Sequence, residues 1–323
     1  MSAGETMAAG ETMSAGESKV GGISYVYLAG ALFISGSAIV AGKIMVGALP
    51  TFLAAWLSVA IGLLLLIPLT FFVKKETVVT DLKTNGTLLS QALFGVLLYR
   101  VFAFYGLRFT TAATSGLITS ASPALVALLA VLLLKEKLSK HKIIGVLLVS
   151  IGLVVINLYP FMLGDAGGIV SFKGNMMVFA AVLCEALFAI LSKSPCKPIS
   201  ALYRTTVITF YAFVLLLPLS VYDVLQYDWT GFSLSAGSIV SVLYFGVFVS
   251  FLSYILWFKG IENVPAGNAA VFTSIVPVSS IILSALILKE AISLVHIIGL
   301  IFIICGIFIS AVSNARSSQK MLL

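Results

Sequence analysis

About ten runs of roughly 20 apolar residues fill most of this chain, and no other feature restricts its fold as much. A helix needs about 20 mostly apolar residues to cross about 30 Å of hydrocarbon, and lipid tolerates no unpaired backbone. The runs cover 24–43, 48–73, 87–108, 111–134, 141–161, 173–193, 199–221, 236–258, 265–288 and 293–313. The thinnest separations are KIMVGALP after the first run and RFTTAAT after the third. With 60% hydrophobic and 10% charged residues in 323, the chain holds more apolar surface than a soluble fold could cover. The expected fold class is therefore all-α integral membrane, with ten transmembrane helices.

Charge placement tests that count, because Lys and Arg collect in cytoplasmic loops. With a cytoplasmic N-terminus, the inner side receives Lys19, Lys74, Lys75, Lys83, Lys135, Lys137, Lys140, Lys142, Lys193, Lys197, Lys259, Arg316 and Lys320. Only Lys43, Arg108, Lys173 and Lys289 fall outside. Both termini are thus expected in the cytoplasm. The net charge of +7 follows from this lopsidedness, and no basic cluster suited to nucleic acid is present.

An internal repeat organises the runs. Shifting the chain by 154 residues aligns Leu98 to Ile156 with Leu252 to Ser310 without a gap. Gly106 then meets Gly260, Pro123 meets Pro277, Lys135-Glu136 meets Lys289-Glu290, and Gly145 and Gly152 meet Gly299 and Gly306. The earlier parts align at an offset of 150, pairing Lys43 with Lys193. Each copy holds five runs, and an odd number of crossings makes the second copy enter from the opposite side. That explains why Lys137, Lys140 and Lys142 face Ala291, Leu294 and His296 in the alignment: lysines tolerated inside would be disfavoured outside.

The stretch YGLRFTTAATSGLITSASPALVALLAVLLLKEKLSKHKIIG and its partner FKGIENVPAGNAAVFTSIVPVSSIILSALILKEAISLVHIIG resemble the EamA unit of the drug/metabolite transporter superfamily. The resemblance covers nearly the whole chain after residue 23. It implies two inverted five-helix repeats around a central cavity lined mainly by the first, third, fourth, sixth, eighth and ninth helices. It also implies export of amino acids and other small metabolites across the bacterial inner membrane. One departure concerns an Arg common near the start of the second helix of such units: Arg204 stands in ALYRTT, but Ala54 in FLAAWL. The expected organisation is a disordered low-complexity tail at 1–22, one repeat at 23–161, the inverted repeat at 173–313, and a cytoplasmic tail at 314–323. The tail repeats a SAGETM-like phrase and lacks the basic start and apolar core of a signal peptide.

Ionisable residues inside spans are costly and point to function. Glu185 is the one acidic residue near the middle of a run, and Arg100 in LLYRVFAFYG lies at a depth its long side chain can bridge. Two readings stand. The pair forms one structural ion bridge between the repeats. Alternatively, Arg100 anchors a substrate carboxylate with its fork while Glu185 holds an amine or carries a coupling proton. Ser250, Ser253, Tyr254 and Trp257 share a helical face that lines a cavity or cements packing, and Tyr99 and Ser35 join them as candidate substrate contacts. Asn268 caps the ninth span or reaches the site. Pro123 and Pro277 mark mid-helix kinks and candidate hinges.

No metal or cofactor is expected. Cys184, Cys196 and Cys305 lack ligand spacing, no HExxH is present, and no GxxxxGKS-type loop exists to bind ATP. The expected function is a secondary-active transporter rather than an enzyme, working by alternating access on a small molecule such as an amino acid, with proton coupling open. A uniporter or importer of a related solute would use the same helices.

Overall fold

Punctuation in the sequence decides where helices begin and end. A computed structural model of the chain describes residues 3–78, 81–134, 140–162, 166–192, 199–230, 235–261 and 272–321. The first helix, α1 (Ala3–Ala48), stops at Leu49-Pro50, and α2 (Thr51–Ile67) starts directly after the proline. The low-complexity segment thereby has helical backbone from Ala3, an extension that needs no new nucleus. The third rod joins α3 (Leu82–Ala92), a π-helical turn (Leu93–Leu98) and α4 (Tyr99–Phe109). Asp81 starts it by accepting a hydrogen bond from the Thr84 amide at 2.9 Å. Further on come α5 (Ala112–Thr119), α6 (Ser122–Leu134), α7 (Lys140–Met162), α8 (Ala166–Leu191) and α9 (Ala201–Gln226). Thr111 caps α5 and Ser200 caps α9 through their hydroxyls. The eighth rod repeats the third: α10 (Ala236–Tyr244), a π-helical turn (Phe245–Leu252) and α11 (Ser253–Ile261). Finally, α12 (Ile275–Leu283) ends in a π-helical turn (Ser284–Leu288), and α13 (Leu294–Met321) closes the described chain.

Among the described residues, seven helices are long and apolar enough to cross a membrane. Three shorter apolar helices, Ile143–Val155, Ile275–Leu288 and Leu294–Ile309, stand where the fifth, ninth and tenth spans were expected. All described regular elements are helical. Leucines such as Leu64, Leu132, Leu225 and Leu286, each more than 60% exposed, give the outer surface the apolar character a bilayer requires.

Both prolines interrupt their helices. Pro123 has no N–H to offer Thr119, and the chain turns at Ser120-Ala121, where the amides fall back on i−3 carbonyls of Leu117 and Ile118. Pro277 does the same to Thr273, and the turn falls at Thr273-Ser274.

Packing between the two sequence repeats is reciprocal. Gly152 of α7 lies against the Gly299 carbonyl and Ile303 of α13, while Gly306 of α13 lies against the Gly145 carbonyl and Val149 of α7. A residue near the C-terminal end of one contact zone thus meets one near the N-terminal end of the other, so the two helices cross antiparallel. A Cβ at Gly306 would come within 2.7 Å of the Gly145 oxygen, which is why both positions are glycine. The same exchange recurs where Gly106 of α4 meets Val178 of α8 and Gly260 of α11 meets Leu28 of α1. A central apolar cluster including Met45, Val59, Leu88, Phe104, Leu216 and Phe245 fastens α1, α2, the third rod, α9 and the eighth rod together.

Candidate functional site

Two polar clusters interrupt this apolar packing, one in mid-bundle and one at an end. The mid-bundle cluster is organised by the paired π-helical turns. Each ends immediately before a polar dipeptide: Tyr99-Arg100 in the third rod, Ser253-Tyr254 in the eighth. One additional residue per turn rotates everything beyond it by about 100° relative to an uninterrupted α-helix. As a result the guanidinium of Arg100 points at α2 and the eighth rod. It donates to Ser58 Oγ and, at 2.9 Å, to Ser250 Oγ, and it lies 5.1 Å from the centre of the Phe245 ring. Arg100 is 8% exposed and its two serine partners 0% and 2%. A guanidinium carries five donors, so most of the fork has no acceptor among the described residues.

Glu185 does not pair with it. The bridge that sequence depth allowed is absent, because helical counting from the sequence could not include the π-helical turn that swings Arg100 away. The Glu185 carboxyl instead meets the Ser122 hydroxyl, just beyond the break in the fourth span. The phenols of Tyr99 and Tyr254 lie within electrostatic reach of both Arg100 and Glu185. Tyr99, Glu185 and Tyr254 are each half-buried although protein surrounds them. Close helix approach around them rests on glycines: Gly95 packs on Phe188, Gly62 on Ser250, and Gly246 on Ile61.

Other expected site residues fall elsewhere. Trp257 packs with Leu28, Leu32, Phe272 and Val276 in an apolar cluster. Ser253 Oγ donates to its own helix at Val249 O, 2.5 Å, and Ser35 Oγ to Ala31 O, 3.0 Å, so both hydroxyl protons serve their own helices. Asn268 lies outside the described residues. Sequence reading missed Ser58, Phe245 and Ser122. A lone hydroxyl in the apolar run AAWLSVAIG was the available signal for Ser58, and it is weak, since most such hydroxyls bond their own backbone.

The second cluster sits at the end where α1 meets α2, here the Lys43 end. Lys43, expected at the outer end of the first span, lies inside α1 and its Nζ donates to Leu107 O at 2.5 Å and Thr110 O at 2.6 Å, satisfying the last carbonyls of α4. Asp223 of α9 accepts the Phe52 amide at the start of α2, 2.6 Å. Glu290 accepts the amides of Ala112 and Ala113 at 2.9 and 3.0 Å. Thr114 Oγ1 bonds His296 Nε2 at 3.0 Å, and Thr110 bonds Asn175. Described residues contain no grouping of His, Cys, Asp and Glu able to hold a metal.

Known proteins place this architecture. The EamA-like transporter family matches residues 22–158 and 172–312. A Bacillus subtilis (strain 168) protein named as an uncharacterized transporter, YetK, is 38% identical over 269 residues, covering 83% of this chain and 81% of its own. A second uncharacterized transporter of that organism, YyaM, is 26% identical over 245 residues, 73% of this chain and 76% of its own. A solved crystal structure superposes with a TM-score of 0.62 over 91% of this chain and 98% of that one, at 19% identity, and so shares the fold.

Proposed function

The chain belongs to the EamA-like transporter family, and from that premise we propose that it is a secondary-active carrier exporting small zwitterionic metabolites such as amino acids. The observation carrying this reading is that Arg100 and Glu185, flanked by the phenols of Tyr99 and Tyr254, have hydroxyl partners and do not pair with each other, and it is between them that we propose the substrate cavity. An α-carboxylate suits the free donors of the Arg100 fork, and an ammonium suits the Glu185 carboxylate. The Tyr99 and Tyr254 phenols between them provide hydroxyls and apolar ring faces for the body of such a solute.

Alternating access requires two arrangements of similar energy. Two five-helix repeats inverted in the membrane supply them by exchanging shapes, and the reciprocal antiparallel contacts of α7 with α13 support that arrangement. The breaks at Ser120-Ala121 and Thr273-Ser274 are where the fourth and ninth spans would flex. With Lys and Arg inside, the Lys43 end is extracellular and both termini are cytoplasmic in a bacterial inner membrane. Without a phosphate-binding loop in the sequence, a proton exchanged at Glu185 is the coupling carrier we favour.

The test is reconstitution into proteoliposomes loaded with one labelled amino acid at a time. Efflux that accelerates with unlabelled substrate outside, and that Arg100→Ala loses, supports the reading. A folded wild-type protein that exchanges no amino acid in the panel would end it.

A further inference from the structure

Resting on the alternating-access reading above, we propose that the Glu290 carboxylate is a latch that closes the cavity at the Lys43 end, and that its release opens the cavity there. The carboxylate grips the first two amides of α5 at 2.9 and 3.0 Å, from 178 and 177 residues away in sequence. Those amides are orphan donors at a helix start, where the dipole also favours an anion. Local capping does not require Glu290: Thr111 already caps α5 by accepting the Thr114 amide at 3.1 Å. What Glu290 adds is a tie between the entry of the fourth span and the exit of the ninth.

These two spans are the ones broken by Pro123 and Pro277, so the latch joins the free ends of two hinged segments. The chain arranges itself to make the contact. Lys289, just before Glu290, adopts φ 55°, a left-handed conformation rare for a residue with a Cβ. That turn follows the π-helical turn Ser284–Leu288 and sends the Glu290 side chain across to α5. The charged and titratable groups facing it are Lys43 from α1 and His296 from α13, both within electrostatic reach. Lys43 holds backbone carbonyls and His296 holds Thr114, so each reinforces closure at the same end.

The experiment reads accessibility without any substrate. In a chain with Cys184, Cys196 and Cys305 changed to Ser, a reporter cysteine replaces Tyr254, and a membrane-impermeant thiol reagent is added on the Lys43 side. Glu290→Gln should raise the labelling rate about tenfold, the scale of one lost hydrogen bond to a charged group. Ala112→Pro deletes one of the gripped donors while leaving Glu290 intact, at a first helical position that suits proline, and should raise it several-fold. A short thiol-specific cross-link between cysteines at 112 and 290 should abolish labelling and substrate exchange until cleaved. Unchanged labelling in whichever variant remains folded, judged by gel filtration, would overturn the latch. Transport in the proteoliposome assay could persist in that event, so failure here is separate from failure of the substrate reading.

Discussion

Charges in the middle of the bundle and charges at its Lys43 end are held in opposite ways. At the end, Lys43, Asp223 and Glu290 each bond backbone groups at a helix terminus. Every one of those contacts satisfies a group that helix geometry leaves open. In the middle, Arg100 is buried against two serine hydroxyls and a ring, and Glu185 meets one hydroxyl, with no opposite charge on either. Neutral hydroxyls compensate a buried charge less fully than an ion pair or a helix terminus does. A site prepared to receive a charged solute must keep such capacity unused; a seal must not.

Substitutions can break or sharpen that contrast. The largest effect is expected at Arg100. Arg100→Ala should raise the half-saturation concentration for transport by about 30-fold or more, the low end for truncating a buried charged partner. If abundance and melting temperature collapse instead, Arg100 is a structural pin and the contrast fails. Glu185→Gln should come next, flattening the pH dependence of flux and slowing it about tenfold, measured across imposed pH gradients in proteoliposomes; an unaltered pH profile would remove Glu185 from coupling. At the other cluster, Lys43→Met should leave half-saturation within about twofold. It should also lower stability by about 1–3 kcal/mol, because the Leu107 and Thr110 carbonyls lose their donor, and a thermal melt in detergent checks this. Ser58→Ala should weaken substrate binding about fivefold by loosening the guanidinium. The smallest effect is expected for Ser253→Ala, less than about twofold in transport, since that hydroxyl serves its own helix.

Legibility differed by type of feature. Break points were readable because proline chemistry is local: Pro123 and Pro277 must disturb the residues four before them whatever surrounds them. The reciprocal contacts were foreshadowed by the match of Gly145 and Gly152 with Gly299 and Gly306, since close helix approach demands small residues. Arg100 and Glu185 stood out because charge in an apolar run is rare. Their relation to each other was not readable. A π-helical turn has no reliable residue signature, and two of them shift the phase at which Tyr99, Arg100 and Tyr254 leave their rods. Trp257 shows the consequence: counted onto a polar face with Ser250, it packs among apolar side chains. Glu290 was seen only as part of a repeated Lys-Glu pair at a span boundary, since its partners at Ala112 and Ala113 lie in a different repeat.

The amino-acid sequence alone determined the membrane class, the duplicated unit and the break points, because hydropathy, repetition and missing amide protons are written in the chain itself. Only tertiary structure decided which groups meet: Arg100 with Ser58 and Ser250, Glu185 with Ser122, Glu290 with the start of α5. Those contacts depend on rotations about helix axes that local sequence does not encode, and one inserted residue per rod changes them by more than a quarter turn.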